Sequence, residues 1–131
     1  MATTHFSGPV ESAQGFIGNL VGTVLGNNSF QTISGDGAIT IPTGDHAFVL
    51  LTKGSAAAIT IAAPALADNG KVINVKSNTA FAHVITSSVD GFNAKGSSGT
   101  ATAATAFTGE LMLVADTGHW YTFSQNLWTI A

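Results

Sequence analysis

The chain has 131 residues, enough for one domain with its own hydrophobic core. Only 8% of the residues are charged, where an ordinary soluble domain has about 25%, and the net charge is −3. The four lysines are scattered and there is no arginine, so a nucleic-acid partner is not expected, and the lack of cysteine excludes disulfides and thiolate metal sites.

The sequence also predicts no membrane partner. Residues 1–6 lack the basic region of a secretory signal. The longest apolar stretch, residues 16–25, is interrupted by glycine and is too short to span a bilayer.

Residues 1–29 differ from the rest of the chain because glycine recurs at every fourth position, at Gly18, Gly22 and Gly26. A helix would bring the apolar residues between them onto one side, but each glycine costs about 1 kcal/mol relative to alanine. We therefore expect an extended arm, with a glycine-lined packing helix as the alternative. Such an arm would become ordered against another protein subunit. Its predicted interface residues are Phe6, Pro9, Phe16, Ile17, Leu20, Val21, Val24 and Leu25.

Residues 30–131 read as a series of short strands separated by turns rich in glycine, asparagine and aspartate. No long helix is predicted. The predicted strands are 30–33, 38–41, 47–52, 57–61, 71–76, 82–86, 110–115, 119–124 and 127–130. About nine strands at this spacing predict an all-β domain, an antiparallel β-sandwich or barrel preceded by the N-terminal arm.

Three segments carry more specific predictions. Residues 47–52 (AFVLLT) are continuously apolar up to the final threonine, which indicates a strand buried on both faces. Asn69-Gly70 is a favoured dipeptide for a tight hairpin. Residues 93–106 are of low complexity and predict a long loop or a weak edge strand.

The polar residues form no catalytic or metal-binding motif, so no catalytic, cofactor-binding or metal residue is assigned. The four histidines lack zinc-site spacing, and we interpret them as polar strand residues rather than ligands meeting on a symmetry axis. Asp45-His46 with a serine could form a triad, but no Gly-x-Ser-x-Gly elbow supports it. Five of the seven acids are aspartates in predicted turns, where the side chain bonds nearby backbone. We therefore expect no enzymatic activity.

The aromatic residues near the C-terminus are the candidates for binding a ligand. Trp120 and Tyr121 are neighbours on one predicted strand and should point to opposite faces. An exposed Trp120 or Trp128 could stack on a sugar ring, whereas a buried one would serve core or intersubunit packing.

Several segments resemble small virion proteins of tailed phages. The opening residues 5–16 (HFSGPVESAQGF) and the Gly-Asn-x-x-Gly-Thr-x-x-Gly repeat that follows are similar to the start of such proteins. Residues 37–41 (GAITI) and 68–75 (DNGKVINV) resemble their β-rich body, and residues 118–121 (GHWY) are similar to the closing hairpin of phage decoration and fibre modules. The likeness is one of composition and position, and no functional residue transfers with it.

The resemblance implies a β-rich, often trimeric module bound outside the capsid shell or built into a fibre. We therefore expect a capsid decoration or cement protein that associates with itself as a homotrimer and with the major capsid protein. It would be made in the host cytoplasm and reside on the outer capsid surface of the virion. The alternatives are a tail-fibre or receptor-binding module that recognises a host surface glycan, and another virion component.

Overall fold

The computed structural model of the chain describes residues 28–87, 91–94, 99–105 and 109–131. These residues form ten β-strands and one short 3₁₀ helix, Leu66–Asp68. The strands are β1 Asn28–Ile33, β2 Gly37–Ile39, β3 His46–Leu51, β4 Ala58–Ile61, β5 Val72–Ser77, β6 Val84–Ser87, β7 Gly99–Ala103, β8 Glu110–Asp116, β9 His119–Asn126 and β10 Trp128–Ile130.

The strands form two five-stranded sheets, with no closed barrel among the described residues. Sheet A has the order β1-β3-β5-β8-β9 and sheet B the order β10-β7-β6-β4-β2. The expected all-β class is confirmed, and the arrangement is consistent with a sandwich.

The first six strands alternate between the two sheets. In sheet A, β1, β3 and β5 pair in parallel, so that Asn28, His46 and Val72 stand in register. In sheet B, β2, β4 and β6 likewise pair in parallel. The chain therefore winds through three successive coils, each with one strand in either sheet.

The second half of the chain reverses direction. Strand β7 pairs antiparallel with β6 and β10, while β8 pairs antiparallel with β5 and β9. Both sheets are consequently mixed, which corrects the expectation of an antiparallel fold. The alternating pattern of side chains identified the strands but is the same for either direction of pairing.

Two further local predictions were wrong. Asn69-Gly70 does not close a hairpin, because β4 and β5 on either side of it lie in different sheets. The low-complexity region contains β7, which lies inside sheet B between β6 and β10 and not at its edge. Strand β1, Asn28–Ile33, lies at the start of the described residues.

The hydrophobic core lies between the sheets. Along most strands every second side chain points inward, and the buried apolar residues among them form one cluster. Sheet A contributes mainly Ala47, Val49, Leu51, Ile73, Val75, Leu111, Leu113 and Ala115. Sheet B contributes mainly Ile39, Ile59, Ile61, Ile85, Ala101 and Ala103.

The hairpin between β8 and β9 turns through Thr117 and Gly118, which both have positive φ, 49° and 83°. A two-residue hairpin loop of this kind favours Asn-Gly, because a β-branched residue is strained at positive φ. The Thr117 backbone N–H donates to Asn69 Oδ1 at 2.8 Å, a bond that any residue at position 117 can keep.

We predict that Thr117→Asn raises the free energy of unfolding by about 0.5–1 kcal/mol, since asparagine tolerates the left-handed region better than threonine. Equilibrium denaturation in urea measures the change. The matched control is Thr60→Asn, which exchanges the same residue types in the middle of β4 and should not stabilise the protein. Equal or lower stability of Thr117→Asn would contradict the assignment of strain to this turn.

Candidate interaction surface

The outward-facing side of sheet A carries large apolar side chains that the described chain leaves partly or fully exposed. We call this surface the A face. Its apolar members are Phe30, Phe48, Leu50, Val72, Met112, Val114, Tyr121 and Phe123. Phe30 is 67% exposed, Phe48 43% and Phe123 71%. Each of these aromatic rings is therefore placed where water or a partner molecule must cover it.

Register places the side chains of the A face in rows across the sheet. One row runs from Phe30 through Phe48, Asn74 and Met112 to Ser124. A groove lies along this row, because Phe30 and Phe48 at one end are large and Asn74 and Ser124 further along are shorter. Leu50 also lines the groove.

The floor of the groove is held in place by His46. The Asn74 side-chain amide lies 2.6 Å from His46 Nε2, and the His46 ring stacks on Phe48 with centroids 4.7 Å apart. These contacts fix both Asn74 and Phe48. They also show that His46 packs against Phe48 and Asn74.

The groove carries little net charge. Lys76 and Glu110 line it at one end and form an ion pair with an Nζ–Oε1 distance of 2.9 Å. Both side chains are half exposed, so the pair contributes little to stability. The two charges cancel each other within the groove.

The outer side of sheet B has a different character. Its outward positions are occupied by smaller side chains, mostly threonine: Ala38, Ala58, Thr60, Val84, Thr86, Thr100, Thr102 and Thr129. The sandwich thus has one outer face rich in aromatic residues and one rich in threonine. The outward residues of the individual strands in each sheet produce this difference.

The prediction that residues 47–52 are buried on both faces is wrong for the single chain. In β3 the inward Ala47, Val49 and Leu51 are buried, but Phe48 is exposed and Leu50 only partly covered. An apolar strand with one uncovered side indicates that a further layer of protein can pack there.

The A face was not predicted as a site from the sequence. The unbroken apolar run of β3 was the part of the sequence that indicated it. The other members, Phe30, Met112 and Phe123, come from distant segments that only the strand order brings together.

The two tryptophans proposed as surface aromatics are buried, which corrects that prediction. Trp120 is fully buried, and its indole Nε1–H donates to the Ala62 carbonyl oxygen at 2.8 Å. Trp128 is 5% exposed. As expected for neighbours on a strand, Tyr121 points the other way and lies on the A face. Neither tryptophan presents its ring to a sugar.

The predicted interface residues of the N-terminal arm lie outside the described residues: Phe6, Pro9, Phe16, Ile17, Leu20, Val21, Val24 and Leu25.

Of the five aspartates predicted in turns, Asp36 and Asp68 make bonds with structural roles. Asp36 accepts from Lys53 Nζ at 2.6 Å and from the Ala58 N–H at 2.9 Å. The Lys53 bond is the main reason that the pKa of Asp36 lies below its usual value. Asp68 accepts in the same way from Lys71 and from the backbone N–H of Ala65, and these bonds lower its pKa.

His83 is the buried histidine of the described chain. The Ala57 backbone N–H donates to His83 Nδ1 at 3.2 Å, so Nδ1 carries no proton. The neutral ring then has its proton on Nε2, which donates to Thr79 Oγ1 at 2.7 Å. Burial, with a smaller contribution from Lys53, lowers the pKa of His83.

The chain matched no protein-family model, no curated protein sequence and no solved structure. Within residues 28–87, 91–94, 99–105 and 109–131, no three metal-ligating side chains lie close enough together to hold an ion. The same residues include no helix of the length and hydropathy needed to cross a membrane.

We predict that acid destabilises the fold through His83. Above about pH 6.5 the imidazole is neutral in both folded and unfolded chains. As the pH falls below that value the unfolded chain takes up a proton, while the lowered pKa of His83 resists protonation in the folded chain. The free energy of unfolding therefore decreases as the pH falls from about 6.5 through the folded-state pKa.

Urea denaturation at a series of pH values tests this prediction. In His83→Asn the Oδ1 atom can still accept from Ala57, and the stability should lose part of its dependence on pH below 6.5. The control Thr60→Asn, at an exposed position without a titratable group, should retain the full dependence. An unchanged pH profile in His83→Asn would refute the role assigned to His83.

Proposed function

We propose that the chain is a non-enzymatic structural subunit of a virus particle, one that decorates or cements the capsid of a tailed phage as a homotrimer. The observation that supports this best is the A face, a broad apolar surface on a rigid sheet. Such a surface suits assembly with other protein subunits.

The size of the exposed area supports an interface. A phenylalanine side chain buries roughly 150–250 Å² when it is fully covered. The exposed fractions of Phe30, Phe48 and Phe123 then correspond to roughly 300–450 Å² of aromatic surface. Apolar patches of about 300–600 Å² are often functional on monomeric proteins.

The small number of charged residues also supports assembly with other subunits. A solitary domain usually depends on charged surface residues for solubility, yet only 8% of this chain is charged. The described titratable groups Asp36, Asp68 and His83 are engaged in bonds that hold loops and turns. These features fit a subunit whose work is to bind other subunits.

The resemblance of residues 5–16 and of the glycine repeat to small phage virion proteins narrows the proposal to a capsid partner. A decoration protein acts by bridging capsomers from the outside, so its location would be the outer capsid surface. Apolar contact repeated over many copies would resist the internal pressure of the packaged genome. The major capsid protein is the proposed partner. Among the described residues no strand lies beyond the edge strands β1 and β2, which therefore offer backbone groups for the contact.

The alternative, a receptor-binding module, had rested on a sugar ring stacked on Trp120 or Trp128. Both side chains are buried, so they no longer support it.

Purified particles of a phage that encodes this chain provide the test. We expect mass spectrometry of gradient-purified virions to detect the chain at a copy number comparable with that of the capsomers. Immunogold labelling should place it on the head. Absence from the particles, or labelling confined to the tail fibres, would contradict capsid decoration.

A further inference from the structure

We infer that the A face is occupied by a second copy of this chain, and that the contact with the capsid uses other surfaces. This inference rests on the proposed function, in which several copies assemble. It names the A face as the contact surface and a second copy as the molecule that covers it.

The sequence of β3 indicates that its outer side is covered by protein. Residues 47–51 are apolar without interruption, a pattern found in strands with protein on both sides. Sheet B covers one side through the core, and the described chain supplies no layer over Phe48 and Leu50 on the other. A further sheet packed on the A face would complete the pattern.

The second argument is shape. Phe30 on the edge strand β1 is 67% exposed, whereas Asn74 and Ser124, two and four strands further along the same row, leave a groove. A surface that carries both a protrusion and a groove can be complementary to a copy of itself. The Phe30 ring of one copy would enter the groove of the next.

The third argument is charge. The chain carries a net charge of −3, so surfaces of two copies generally repel each other. The groove on the A face is an exception, because Lys76 and Glu110 neutralise each other there. Two copies can therefore meet at the groove without opposing like charges, and Asp116 at the end of β8 places its negative charge outside the groove.

The fourth argument is area. A specific interface buries about 800 Å² on each partner. Phenylalanines alone account for roughly 300–450 Å² of the A face, and the partly exposed Leu50, Met112, Val114 and Tyr121 extend the patch. The phenylalanines thus supply roughly half of the area that such a contact buries on each partner, and the other residues add to it.

The test measures the molar mass of the purified full chain by size-exclusion chromatography with light scattering over a dilution series. We expect a multiple of the 13.2 kDa chain mass. Phe48→Lys and Phe30→Lys should each lower the mass to that of one chain while the circular dichroism spectrum stays unchanged. The matched control, Thr60→Lys on the outer side of sheet B, should leave the multimer intact.

Thiol labelling identifies what covers the face. Because the chain has no cysteine, Ser124→Cys introduces a single thiol beside the groove. We expect this thiol to react slowly with a maleimide in the multimer, and at least tenfold faster when Phe48→Lys is added.

Three outcomes would overturn the inference. One is a monomer with a reactive thiol, which leaves the face uncovered. Another is a monomer with a protected thiol, which means that residues 1–27 of the same chain cover it. The third is a multimer disrupted by Thr60→Lys but not by Phe48→Lys, which places the contact on sheet B. None of these measurements involves a capsid, so failure of the inference is distinct from absence of the chain in virions.

Discussion

The placement of consecutive strands in opposite sheets is the constraint on which the rest of the structure depends. The buried apolar side chains of β2 to β6, with Ile33 of β1 packed against them, meet across one shared core. The same winding stacks β1, β3 and β5 side by side, so that their outward side chains form one surface. The core and the A face therefore both depend on the same topology. A change of strand order would remove both.

The strands were predictable because their signal is local. Alternation marks residues 71–76 and 38–41 as strands whatever their neighbours are. Strand direction was not predictable, since parallel and antiparallel pairs share that alternation. Asn69-Gly70 shows the difficulty: its positive φ at Gly70 makes a turn, but the turn redirects the chain to the other sheet and does not fold it back on itself.

The A face was only partly predictable. The apolar run of β3 predicted burial on both faces, whereas Phe48 is exposed in the described chain. Phe30 and Met112 join Phe48 through pairings between segments far apart in sequence. Conversely, Trp120 could have faced either side of its strand. The buried bond from its indole to Ala62 decides the matter in favour of the core.

An experimental structure of the purified full chain, by crystallography or electron microscopy, tests the central claim most directly. The account predicts that Phe30 and Phe48 are buried against the A face or an adjoining surface of another copy, with the two-sheet winding retained. A structure in which both rings face solvent, or are covered by residues 1–27 of their own chain, would contradict it.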